Sequence, residues 1–301
     1  MAREKKSGSI GRHQVSLLVL AAGIGSRYGG LKQLEGIGPR GETLMDYSLH
    51  DACSAGFKHV VFVIRRELYD VFQEKIVPRW KKRLTIEYAY QEVTSFVPET
   101  FEVPAERKKP WGTGHAVLCS RRVIHNPFVV VNADDYYGKG SLQTAFNYLK
   151  ELQPGDKKFL LVSFPLGQTL SLHGTVSRGV CKVDQSGCLV QIQEHRDLCQ
   201  KDNVIYSGNA IQKGVDDTTP VSMNLWGFTP QIYNWLSRRF QEFFITPQRN
   251  FEKDEYTLPE LIHAGIKAGE FTVSVLPTQD QWLGITYRED LTWVKQKLPT
   301  L

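Results

Sequence analysis

The chain has 301 residues, 41% of them hydrophobic, and its 37 Lys and Arg outnumber 32 Asp and Glu for a formal net charge of +5; this is core enough for an α/β domain and excludes a low-complexity chain. The positive balance helps to gather an anionic substrate, and its densest stretch, Arg79-Trp80-Lys81-Lys82-Arg83, reads as a solvated helix face rather than a nucleic-acid site. Five cysteines with no Cys-x-x-Cys pair suggest neither a zinc site nor a disulfide framework and fit reduced thiols in the cytoplasm, and no apolar run approaches the roughly 20 residues of a membrane span.

Residues 1–13 are polar and charged, a poor signal peptide and a loose tail, so one domain is expected over 14–301. Residues 15–21 are an apolar run ended by glycines, the pattern of a strand buried on both faces. A helix follows over 43–55 with Gly56 as its stop. Next come a strand over 59–64, a helical stretch over 68–82 that Pro78 interrupts, and an alternating strand over 84–91. This spacing predicts a largely parallel sheet with helices on both faces. Residues 92–110 carry Pro98, Pro104 and Pro110 among several charges and read as a long surface loop, a flap able to close over a nucleotide. A helix over 114–123, a buried strand over 127–132, a helix over 141–152 and a strand over 158–165 restore the rhythm. Beyond them the pattern loosens. Antiparallel strands over 176–183 and 189–194 are joined by Asp184-Gln185-Ser186-Gly187. A strand over 221–228, helices over 230–244 and 258–267, and a last strand over 271–276 complete the reading.

The chain is organised around Leu20-Ala21-Ala22-Gly23-Ile24-Gly25-Ser26-Arg27. Gly23 and Gly25 free the backbone for a tight turn whose N–H groups can point at an anion. Ser26 adds a hydroxyl, Arg27 a fixed cation, and Lys32 a second cation about one turn later. The loop is not a P-loop, since Gly-Lys-Ser/Thr is missing, and Tyr28 stands where a dinucleotide fingerprint needs its third glycine. A buried strand, a glycine loop and two cations suit a nucleoside triphosphate.

This stretch resembles the signature of the nucleotidyltransferases that make nucleotide-sugars, Leu-Ala-Ala-Gly-x-Gly-Ser/Thr-Arg followed by a lysine. The resemblance implies a Rossmann-like mixed, mostly parallel α/β sheet with helices on both faces. It implies that Ala22, Gly23, Gly25 and Ser26 wrap the nucleotide while Arg27 and Lys32 hold its phosphates.

Asn132-Ala133-Asp134-Asp135 ends a buried strand, where ligand groups of open α/β sheets gather. A carboxylate there can hold Mg²⁺, which takes one or two carboxylates plus phosphate oxygens; by resemblance the metal aspartate is Asp134. Gly112-Thr113-Gly114-His115-Ala116 resembles the family's Gly-Thr-x-x-Ala segment beside the nucleobase, and Gln91 the glutamine that reads the base edge. Residues 92–110 between them are an insertion by that pattern, and His115 is read as a helix-start residue without a chemical role. Gly179, Glu194 and Asn224 resemble the positions that hold the second substrate. His195-Arg196 follows Glu194 where sugar enzymes of the family carry Lys-Pro, so either is a candidate acceptor cation, or the acceptor differs. The family's second metal aspartate falls on Gly284, with Asp280 as a candidate substitute.

The expected activity is transfer of a nucleotidyl group from an NTP to a phosphorylated small-molecule acceptor, a sugar 1-phosphate giving a nucleotide-sugar and pyrophosphate first, and cytidylyl transfer to phosphocholine or a similar small phosphate second. A catalytically weak nucleotide-binding regulator and a glycosyltransferase are the rival readings. Neither nucleic acid nor a membrane is an expected partner, and the oligomeric state stays open, a homo-oligomer included.

Overall fold

The computed structural model describes residues 15–23, 32–171, 173–202, 204–208 and 210–300; the expected tail lies outside them. β1 (Ser16–Leu20) is buried almost throughout. α1 (Leu44–Ala55) opens on a capping box, in which Thr43 Oγ1 accepts from the Asp46 N–H and the Asp46 carboxylate accepts from the Thr43 N–H. It closes at Gly56, whose φ of 114° is a conformation that suits glycine. β2 (His59–Ile64) is wholly buried. The helical stretch after it divides into α2 (Tyr69–Lys75) and α3 (Val77–Trp80), because Pro78 lacks the N–H that would continue one helix.

β3 (Thr85–Tyr90), α4 (Thr113–Cys119), β4 (Phe128–Asn132), the two-residue β5 (Asp135–Tyr136), α5 (Lys139–Leu149) and β6 (Lys158–Pro165) follow. α5 starts earlier than its composition suggests because a distant carboxylate caps it: Asp280 Oδ2 accepts from the Ser141 N–H at 2.6 Å. β7 (Val176–Val183) pairs with β8 (Leu189–Lys201), which runs on past Glu194 because β9 (Val204–Ser207) extends the hairpin and β10 (Ala210–Ile211) pairs with β9. β11 (Pro220–Phe228), α6 (Ile232–Ile245), α7 (Leu258–Lys267), β12 (Thr272–Pro277), β13 (Leu283–Gly284) and α8 (Asp290–Lys297) complete the order. α8 and the short β5–β13 pair carry no strong periodicity and are additions to the sequence reading.

Among the described residues eleven strands form one mixed sheet with β10-β9-β8-β7-β11-β4-β1-β2-β3 along its main path. β4, β1, β2 and β3 are parallel, as are β6 and β12 at a branch off β11, while β11 and β7 to β10 pair antiparallel. Alternate strand residues enter two cores. Leu17, Val19, Phe62 and Val131 pack with α1 and α5 through Leu49, Ala52 and Leu142. Leu18, Val61, Val130 and Trp226 pack with α4, α6 and α7 through Val117, Phe240 and Ile262.

β11 makes the opening for the site. One edge pairs with β6, and the other pairs with β7 through Val221 and Ser222 and with β4 through Trp226, Gly227 and Phe228. Between these registers the strand is irregular, and Asn224 has φ of 64°, which asparagine tolerates better than most residues. The carboxyl end of β4 therefore faces a gap before β7 begins.

Candidate active site

Two cavities meet at that gap. The first, about 400 Å³, is lined by Leu20, Ala22, Gly23, Gln91, Gly112 and Thr113. The second, about 590 Å³, is lined by Gly179, Glu194, Ser222 and Trp282. Asp134 belongs to both walls, with Thr113, Asn132, Asn224 and Glu255. The described residues expected around a nucleotide thus meet in one cavity and those expected around an acceptor in the other. Gly25, Ser26 and Arg27 lie outside the described residues. Lys32 opens a short turn, Lys32–Leu34, and its side chain is outside them too. Gln33 Nε2 in that turn donates to the Ala21 carbonyl at 3.2 Å and ties the far side of the loop to the exit of β1.

Around Asp134 the backbone is braced by a tyrosine. The Asn132 N–H donates to Tyr137 Oη at 3.0 Å, and that hydroxyl donates to the Met223 carbonyl at 2.9 Å, linking the end of β4 to the irregular part of β11. Burial raises the Tyr137 phenol well above its ordinary value, so it stays a proton donor. Asn132 Nδ2 donates to Asp135 Oδ2 at 2.8 Å, and Asp135 lines the second cavity beside Asp134.

The nucleotide-side wall is built by close backbone approach. Gly112 has φ of 105°, and a Cβ there would lie 3.0 Å from the Tyr256 carbonyl; one on Gly114 would lie 2.9 Å from the same oxygen. The two glycines let residues 255–258 lie on the start of α4, where Thr113 Oγ1 accepts from the Leu258 N–H at 2.9 Å. Gln91 is buried, with Nε2 donating to the Gly112 carbonyl at 2.9 Å and lying 3.3 Å from His115 Nδ1. His115 Nε2 is 2.8 Å from the Ser95 carbonyl. Burial pushes the imidazole down to about 4, so it is neutral at physiological pH.

Residues 92–110 form a fastened wall rather than a swinging flap. Arg107 is buried 3.6 Å over the Trp111 ring. It donates to the carbonyls of Lys109, Pro110, Phe251 and Asp254 at 3.0, 3.0, 2.7 and 3.0 Å. Phe101 packs on Trp111, Phe244 and Phe251. These contacts fix both the middle of the loop and its end, and Lys109 and Pro110 form part of the first cavity.

The acceptor-side wall differs from expectation in its charges. Neither His195 nor Arg196 lines it: His195 Nδ1 pairs with Gln212 Oε1 at 3.1 Å, and Arg196 reaches back to Glu194 at 3.2 Å from an exposed position. Among the described residues the cation in this wall is Arg178, held over the Trp282 ring and donating to Thr169 and Ser177; burial lowers its guanidinium to about 10. Glu255 and Glu260 join Glu194 there. Sequence reading missed Arg178, Glu255 and Glu260. The Thr257-Leu258-Pro259-Glu260 start of α7 is a legible helix signal, but its place beside the cleft is a tertiary fact.

Gly284 has a steric explanation. A Cβ there would lie 2.2 Å from the Trp282 ring and 2.7 Å from Asp135 Oδ1, so no carboxylate fits at this position. Asp280 is no substitute: it is spent capping α5, packs against Gly138 and Gly140, and lines neither cavity.

Comparison with known proteins gives the geometry a family context. A family model described as nucleotidyl transferase matches residues 17–198. The fold is similar to that of the inositol-1-phosphate CTP transferase from T. maritima, with a TM-score of 0.61 and 13% identity over 96% of this chain and 99% of that one. It is also similar to UDP-glucose pyrophosphorylase complexed with UDP-glucose, with a TM-score of 0.59 and 15% identity over 94% of this chain and 97% of that one. No curated protein sequence matches. Among the described residues no helix is long and apolar enough to cross a membrane.

Proposed function

The chain belongs to the nucleotidyl transferase family, and from that premise we propose that it joins the nucleotidyl group of an NTP to a sugar 1-phosphate, releasing pyrophosphate. The observation that carries this reading is the position of Asp134 in the shared wall of two adjoining cavities, one for each substrate. Ala22, Gly23, Gly25, Ser26, Gln91, Gly112 and Thr113 take the nucleotide. Gly179, Glu194 and Asn224 take the acceptor.

An acceptor phosphate oxygen is already an anion, so no base is needed to strip a proton from it. Catalysis then rests on alignment and on stabilising charge as it develops. Arg27 neutralises the leaving pyrophosphate and Lys32 the α-phosphate. Asp134 is the residue that would hold Mg²⁺, and that ion would supply charge screening between the reacting phosphates. The donors suit that ion. Asp134, Asp135 and Asn132 offer oxygen, and among the described residues no three His, Cys, Asp or Glu side chains gather as a cage. Magnesium needs no cage, taking one or two carboxylates with phosphate oxygens and water.

Two structural neighbours, an inositol-1-phosphate CTP transferase and a UDP-glucose pyrophosphorylase complexed with UDP-glucose, support a polyol or sugar phosphate as acceptor. Glu194, Glu255 and Glu260 in the acceptor cavity favour a second reading, a small phosphate with an ammonium group such as phosphocholine. A screen of NTPs against phosphorylated acceptors, read by pyrophosphate release, separates the two. Tight NTP binding with no release across the panel would leave a nucleotide-binding regulator.

A further inference from the structure

Arg178 stands where the acceptor cavity borders a third cavity of about 320 Å³, in a wall that it shares with Trp282 and Thr286. Its guanidinium lies 5.1 Å over the Trp282 ring and is fastened from behind by neutral groups. Nε donates to the carbonyl and the hydroxyl of Thr169, each at 3.1 Å, and Nη2 donates to the same carbonyl. Nη1 donates to the Ser177 carbonyl at 2.9 Å. A guanidinium has one N–H on Nε and two on each terminal nitrogen, so Nη1 and Nη2 each keep an N–H unused among the described residues. Asp135 and Asp290 are near enough to favour the charge, yet neither pairs with it. Asp290 accepts instead from Ser171 Oγ and from the N–H groups of Thr286 and Tyr287, and Asp135 accepts from Asn132 Nδ2. A guanidinium drawn out of water without a counter-ion is unfavourable. Spare N–H bonds on both terminal nitrogens suit the oxygens of an anion.

The phosphate of an acceptor that reacts has to reach the wall common to the acceptor and nucleotide cavities. That wall holds Asp134, Thr113 and Asn224 but not Arg178. Arg178 therefore meets a different part of the acceptor. Glu194, Glu255 and Glu260 line the same cavity, and carboxylates accept from hydroxyl groups but repel an anion. We infer that the acceptor carries, besides the phosphate that reacts, a second anionic group, a carboxylate or another phosphate, which Arg178 receives while the glutamates take hydroxyl groups. The inference rests on the nucleotidyltransferase reading, which puts the reacting phosphate at Asp134. A neutral sugar 1-phosphate leaves the guanidinium without a counter-ion. A phosphorylated sugar acid or a sugar bisphosphate supplies one.

The test is titration of the full chain with matched acceptors, in Mg²⁺ and each common NTP in turn as its unreactive α,β-methylene analogue. Glucose 1-phosphate is set against glucuronic acid 1-phosphate and glucose 1,6-bisphosphate, and galactose 1-phosphate against galacturonic acid 1-phosphate. Expected is binding of an acidic member about tenfold or more tighter than its neutral partner, and the better arm tells a carboxylate from a phosphate. Arg178→Met should bring that ratio to about one. Arg178→Lys should keep part of it, because the charge stays while the planar fork is lost. Equal affinity for neutral and acidic partners in the natural chain, or affinity for neither, would overturn the inference. So would a loss in Arg178→Met that is equal for both partners, which would put Arg178 on the reacting phosphate. Failure of every NTP analogue to bind would instead remove the nucleotidyltransferase reading beneath it.

Discussion

The two cavities that meet at Asp134 are built from different kinds of sheet, and their walls are held differently. On the nucleotide side the parallel strands β1, β3 and β4 end together, and buried side chains lock the turns that follow. Gln91 holds Gly112, Arg107 holds four carbonyls, and Thr113 caps α7. On the acceptor side antiparallel strands supply side chains to a wider space, and among the described residues the partner of Glu194 is the exposed Arg196. On the proposed assignment, the ligand part common to many reactions would meet the rigid wall, which lowers the cost of ordering it, and the part that distinguishes one reaction from another would meet side chains that can change without disturbing the fold.

The largest effect is expected where the two sides join. Asp134→Asn should lower turnover by about two orders of magnitude or more, measured as pyrophosphate release, while the folded chain still binds nucleotide. Near-normal turnover would separate Asp134 from the chemistry.

The contrast in rigidity is tested by one substitution on each side. Arg107→Met leaves buried carbonyls without donors and should cost about 3 kcal/mol or more in urea unfolding. Arg196→Ala, from an exposed pair, should stay within about 0.5 kcal/mol. Equal losses would erase the distinction.

Acid should loosen the nucleotide side in particular. His115 titrates at about 4 in the folded chain against 6.5 ordinarily, so the unfolded chain takes up the proton first as pH falls. Its contribution is complete above about pH 6.5 and is lost toward pH 4, up to roughly 3 kcal/mol. Unfolding midpoints across this range should slope less in His115→Leu than in the natural chain.

Smaller effects concern Gly284 and Asp280. Gly284→Asp must displace the Trp282 ring and should cost about 1–3 kcal/mol with no gain in turnover. Asp280→Ala should cost about 1 kcal/mol through the lost cap on α5 and leave turnover within a factor of about two. A large loss of turnover with unchanged stability would return Asp280 to the chemistry.

The parallel half was legible because each of its signals is local. β1, β2 and β4 are continuous apolar runs, Gly56 is a helix stop, and Pro78 divides a helix by lacking one N–H. Asp134, expected from the rule that such strands end where ligands gather, lines both cavities. In the antiparallel half the strands were legible and Gly179, Glu194 and Asn224 do line one cavity, but the rest of that wall was not legible, because its residues come together by tertiary contact. Glu255 reaches the cleft through glycines at 112 and 114, and the Arg178 cavity wall depends on how β7 leaves β11. His195 and Arg196 looked like acceptor cations from their place after Glu194, but they point to Gln212 and back to Glu194. Asp280 looked like a metal ligand from its place before Trp282 and is a helix cap. Sequence proximity does not report side-chain direction.

The most direct measurement follows the α-phosphorus of the NTP by ³¹P nuclear magnetic resonance, with Mg²⁺ and a phosphorylated acceptor present. Expected is its conversion into a diphosphate linked to the acceptor, with one pyrophosphate released per product, in the natural chain and not in Asp134→Asn. An α-phosphorus that stays in NTP, or that appears as free nucleotide whatever acceptor is offered, would contradict nucleotidyl transfer between the two cavities.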